Sequence, residues 1–73
     1  MKKEIKKIIG EVLEIEESTI NDDAKILDDL GADSIAVMEI VMELEEAFDL
    51  DIDTEEIAKF KTVSDIEKYL SEQ

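Results

Sequence analysis

Ser34 is the side chain through which this sequence could most directly form a covalent bond, and the composition around it limits what that bond can be. It stands between Asp33 and Ile35, three residues after Gly31. The chain has no His and no Cys. The commonest general base is therefore missing, and neither a Ser–His nor a Cys–His nucleophile pair can be assembled. Ser34 can accept a group that another protein transfers to it, but this chain cannot activate it. A Ser directly before a strong helix is more often only an N-cap. As an attachment point it has one physical advantage. An anionic ester there would meet the free N–H groups and the positive dipole end of the helix. Gly31 lets the preceding loop turn tightly and expose the hydroxyl.

The other chemistry-bearing residues are carboxylates. General acid–base work by a pair of them needs a buried cleft that raises one pKa, and 73 residues leave little room for one. Asp49-x-Asp51-x-Asp53 resembles the start of a calcium-binding loop. Such a loop requires Gly at its sixth position and Glu at its twelfth. Thr54 and Phe60 stand there instead, so no dedicated metal site is expected, only loose association of divalent cations with an acidic surface. The chain is expected to be no enzyme.

Net charge is −14, and all the basic residues are Lys. Phosphate contacts need basic side chains, so nucleic acid is excluded as a partner class, and anionic membrane surfaces are disfavoured. No apolar run approaches a membrane span. Lys2, Lys3, Lys6 and Lys7 look like the start of a signal peptide, but Gly10, Glu11 and Glu14 interrupt what would be its apolar stretch. A soluble, cytoplasmic, monomeric protein with a single domain over 1–73 is expected. A core this small supplies roughly 3–5 kcal/mol of net stability.

The elements that must position Ser34 follow from hydrophobic spacing. Ile5, Ile8, Ile9, Val12 and Leu13 recur on one helical face, which predicts a helix over 3–15. Turn and cap residues dominate 16–33, so a long loop is expected there, pinned to the core by Ile20, Ile26, Leu27 and Leu30. The strongest helix runs over 35–49, capped by Asp33 or Ser34. A short helix over about 55–60 follows, capped by Asp53 or Thr54. Thr62 caps a last helix, with Asp65 as capping-box partner and Val63, Ile66, Tyr69 and Leu70 as apolar face. No segment alternates with period two, so the fold class is all-α: three main helices, one short helix and a long first loop.

The 35–49 helix carries more apolar surface than one buried face needs. On a helical wheel, Val37, Ile40, Val41, Leu44, Ala47 and Phe48 share the core arc. Ile35, Met38 and Met42 fall on the other side, among Glu39, Glu43, Glu45 and Glu46. A helix buried over more than half its circumference would take up Met38 and Met42 as core. A docking surface is the sharper reading, because apolar side chains rimmed by one sign of charge mark interaction sites and Met adapts to varied partners. Between Lys25 and Lys59 every charged residue is acidic, so no Lys neutralises this face and it would steer basic partners.

At this point the sequence resembles a known family. Leu30-Gly31-Ala32-Asp33-Ser34-Ile35 resembles the Gly-x-Asp-Ser-Leu signature of acyl carrier proteins. Ile8-Ile9-Gly10-Glu11 resembles the family's first helix, residues 39–48 its second, and Thr62-Val63 the entry to its last. The resemblance implies an acyl-carrier-like four-helix bundle in which Ser34 carries 4′-phosphopantetheine, placed there from coenzyme A by a phosphopantetheinyl transferase. It implies that the arm's thiol holds growing acyl chains as thioesters. It also implies that Asp33, Glu39, Met42, Glu45 and Glu46, with Ile35 and Met38 beside them, meet basic patches on fatty acid synthesis enzymes.

Three departures bear on the pathway. Ile35 replaces the commoner Leu, Ala36 stands where many fatty-acid carriers have an acid, and Asp53 where many have Pro. Carriers for polyketide or non-ribosomal peptide synthesis and for D-alanine transfer share the fold, and the negative charge and the 41–46 stretch favour fatty acid synthesis. An acidic helical adaptor without a prosthetic group is the alternative of another class.

Overall fold

The computed structural model describes residues 2–73. Its helices, in chain order, are α1 (Lys2–Leu13), α2 (Ser34–Phe48), α3 (Thr54–Ile57) and α4 (Val63–Ser71), with one 3₁₀ turn at Glu17–Thr19. Among the described residues there is no strand, only an isolated antiparallel bridge between Lys25 and Thr62. The expected all-α bundle with one short helix and a long first loop is what forms.

α1 packs against both α2 and α4. Ile5 and Ile9 of α1, Ile40, Val41 and Leu44 of α2, and Val63, Ile66 and Leu70 of α4 meet in one core. Ile20 and Ile26 fasten the long loop to it, and Ile52 and Phe60 fasten the segments flanking α3. Phe60 and Tyr69 complete the α3–α4 side edge to face, with ring centroids 5.4 Å apart.

Helix ends differ from the expectation at three places, each with a local cause. α1 stops at Leu13 because Glu14 adopts φ 57°, after which the Ile15 N–H donates to the Gly10 carbonyl at 3.0 Å. This is a Schellman closure with Glu where Gly is usual. α2 ends the same way, with Asp49 at φ 53° and the Leu50 N–H on the Glu45 carbonyl at 3.1 Å. α3 covers only Thr54–Ile57. Asp53 occupies its N-cap position without a side-chain bond, and a turn replaces the expected helix to residue 60.

Two apolar assignments are corrected. Leu27 is exposed rather than pinned in the core, because its neighbour Ile26 takes the inward position. Ala47 lies at the solvent edge of the α2 arc and is exposed, while Phe48 is half-buried.

Candidate functional site

Asp33, not Ser34, caps α2. Its carboxylate accepts a hydrogen bond from the Ala36 N–H at 2.8 Å, and its carbonyl accepts the first helical bond, from Val37, at 3.0 Å. Asp33 is extended, with φ −94° and ψ −179°, as an N-cap residue should be. Ser34 is thereby released from the cap and becomes the first helical residue. It is exposed, and its hydroxyl has no hydrogen-bond partner among the described residues.

The loop that delivers Ser34 is fixed from behind. The Ala32 N–H donates to the Ile26 carbonyl at 3.1 Å, and Ala32 is buried. Asp29 ties back to Lys25 twice: its N–H donates to the Lys25 carbonyl at 2.7 Å, and its carboxylate accepts from the Lys25 N–H at 2.9 Å. Gly31 sits at φ +74° with open space where a Cβ would be. Its need is conformational, since the left-handed region costs other L-residues roughly 1–2 kcal/mol.

The site suits a phosphodiester on Ser34. The hydroxyl is free to be substituted, and the Ile35 N–H, in the first turn, makes no backbone hydrogen bond that an anion would have to displace. No buried polar side chain lies orphaned among the described residues, and no metal-holding cluster is found among them.

α2 presents the apolar ridge that the wheel predicts. Ile35 is 69%, Met42 60% and Met38 45% exposed, which removes the possibility that the two methionines are core. Glu39 and Glu46 are exposed beside them. Glu45 is different. It is half-buried, and its carboxylate accepts the Ile52 N–H at 2.8 Å. The wheel placed it on the rim but could not see the segment that returns beneath it.

Sequence reasoning missed one cluster. Lys6 and Lys2 hold the two carboxylate oxygens of Asp22 at 2.7 and 3.1 Å, and Lys2 also reaches Glu67 at 3.7 Å. The Asp22 carbonyl accepts both the N–H (3.0 Å) and the hydroxyl (3.2 Å) of Ser64. The bonds from Lys6 and then Lys2 hold the Asp22 carboxyl below the usual carboxylate range. The basic start of α1 thus clamps the long loop and α4, whereas in sequence it read as a leader-like run.

Comparison with known proteins bears on all of this. Residues 3–70 match the family model described as a phosphopantetheine attachment site. An acyl carrier protein from Bdellovibrio bacteriovorus is 44% identical over 69 residues, covering 94% of this chain and 88% of that protein. The solved structure of an acyl carrier protein from Enterococcus faecalis superposes with a TM-score of 0.81 at 39% identity, over 97% of this chain and 90% of that one.

Proposed function

Because this chain belongs to the phosphopantetheine-attachment family, the family of acyl carrier proteins, we propose that it bears its 4′-phosphopantetheine arm on Ser34 and serves fatty acid synthesis. The observation that carries the reading is the division of labour between neighbours. Asp33 caps the helix and leaves an exposed hydroxyl on Ser34 with no structural duty. A separate transferase supplies the base, since this chain has no His, and it forms the Oγ–phosphorus bond while the adenosine bisphosphate half of coenzyme A leaves. When bound, the arm supplies the thiol that holds acyl groups as thioesters. The protein itself performs no catalysis.

Cytoplasmic enzymes with basic docking patches are the partners that fit. They would meet Glu39, Glu46 and Asp33 by charge and Ile35, Met38 and Met42 by apolar contact, with Glu45 at the edge of the patch. Rim charges act mainly on the association rate, and buried apolar anchors on dissociation. The test is to incubate the apo protein with coenzyme A and a phosphopantetheinyl transferase and map the product by mass spectrometry. One arm on Ser34 is the expected result. Modification elsewhere, or none with several transferases, overturns it. Transfer of malonyl groups by a fatty-acid malonyl transferase, against no transfer of D-alanine by its ligase, tests the pathway.

A further inference from the structure

Met38 and Met42 stand one turn apart on the outer face of α2, 45% and 60% exposed. Neither belongs to the core cluster, and neither packs against it. The chain has no Cys, and its third Met, Met1, lies outside the described residues. These two thioethers are therefore the only sulfur atoms among the described residues, and both open to solvent. An arm on Ser34 would bring a thiol, but acylation ties that sulfur up as a thioester.

A thioether sulfur attacks a hydroperoxide at oxygen. A sulfur–oxygen bond forms, the O–O bond breaks, and with hydrogen peroxide the second oxygen leaves as water. Sulfur is oxidised by two electrons and the peroxide is reduced by two. The product is a methionine sulfoxide, in which a flexible apolar side chain has become polar. The surroundings select the oxidant. Glu39, Glu43 and Glu46 are exposed on the same helix, and no basic residue falls between Lys25 and Lys59. This field holds off anionic oxidants and leaves a neutral hydroperoxide free to approach.

A sulfoxide harms whichever apolar environment it has to enter. Here that environment is not the core, because α2 is held there by Ile40, Val41 and Leu44 on its other face. It is the apolar surface of a partner that receives the ridge, where the new oxygen would be buried without a donor.

We propose that Met38 and Met42 form a reversible oxidation site for neutral hydroperoxides, at which addition of oxygen weakens docking of α2 without unfolding the chain. The proposal rests on the reading of the α2 ridge as the docking face. Reversal takes a dithiol reductase: the sulfoxide oxygen leaves as water, the thioether returns, and the two thiols close to a disulfide. The exposure that admits the peroxide also admits the reductase.

The experiment treats the apo protein with hydrogen peroxide, removes the peroxide with catalase, and maps the added oxygens by peptide mass. Both methionines should take one oxygen, Met42 faster than Met38. The denaturant melt of the oxidised protein should match that of the parent. After the arm is loaded, binding to a ketosynthase should be roughly tenfold weaker, mainly through faster dissociation, as expected for a polar atom buried without a partner. Methionine sulfoxide reductase should restore it. A Met38→Leu, Met42→Leu variant keeps the helix and the apolar ridge, so it should bind like the parent and lose all sensitivity to peroxide. Met1 remains in that variant and controls for its own oxidation. Unweakened binding after oxidation of both methionines, equal loss in the Leu variant, or a collapsed melt overturns the switch. Unchanged binding of an unoxidised Met42→Ala variant overturns the docking reading, and the switch with it.

Discussion

The Glu45 carboxylate accepts the Ile52 N–H at 2.8 Å, which ties the last turn of α2 to the segment leading into α3. Glu45 therefore differs from Glu39, which shares its charge and helix but is exposed and has no such bond. Glu45→Lys should destabilise the fold by about 1–3 kcal/mol, since it strands a part-buried N–H. Glu39→Lys should leave the melting temperature nearly unchanged and slow association with a ketosynthase. Chemical denaturation of both variants, with binding kinetics at two salt concentrations, separates the two roles. Equal stability for both would mean that the bond to Ile52 contributes nothing.

Capping and attachment should separate at adjacent positions. Ser34→Ala should abolish arm transfer and change stability by no more than about 0.5 kcal/mol, because the hydroxyl bonds nothing. Asp33→Ala should cost about 1 kcal/mol through the lost cap. Denaturant melts beside a transferase assay read both outcomes.

Met42 should act as an anchor and not as core. Met42→Ala should raise the dissociation rate from a ketosynthase while the melting temperature stays close to that of the parent, given its 60% exposure. A large loss of stability with unchanged binding would return Met42 to the core.

The Asp22 clamp sets a pH dependence with a definite sign. Lys6 and then Lys2 lower the folded pKa of Asp22 by hydrogen bonding, so its contribution is present above the unfolded carboxyl value and is lost as pH falls through the folded one. Lys2 is raised, first by its hydrogen bond to Asp22, so its share is present below the ordinary lysine value and is lost as pH rises through the folded one. Asp22→Asn should flatten the stability profile at both ends. Melting curves from the acid carboxylate range to alkaline pH, with the variant alongside, show whether it does.

The Schellman end of α1 offers a stability test with opposite signs at two positions. Glu14→Gly should stabilise by about 1 kcal/mol, because it relieves a left-handed Glu. Gly10→Ala should destabilise despite better helix propensity, because its Cβ would lie 2.9 Å from the Ile15 carbonyl oxygen, a backbone atom that cannot swing away. Thermal melts of the two single variants suffice.

The pattern of legibility follows from which information is local. The apolar spacing of α1, α2 and α4, the Thr62–Asp65 capping box and the outward methionines are set within one helix, and the sequence shows them directly. The capping choice between Asp33 and Ser34 depends on a one-residue shift in where helical dihedrals begin, and composition does not resolve that. Leu27 and Ile26 are equally apolar neighbours, and only the loop's pairing with Lys61 decides which points inward. Glu45 and Asp22 take partners 7 or more residues away, through contacts that no helical period encodes. Glu14 and Asp49 end their helices without Gly or Pro to announce it.

The bond from Ser64 to the Asp22 carbonyl joins residues 42 apart in a chain of 73. It has a kinetic consequence. Closing so long a span costs entropy before any contact rewards it. The helices can form locally, whereas the loop ahead of Ser34 cannot reach its final path until residues 61–64 have arrived to receive it. During synthesis that moment comes only after residue 64 has emerged. A transferase that reads the finished loop would therefore meet it only once the start of α4 has packed, so that the proposed attachment at Ser34 would follow the folding of these residues without any separate timing device.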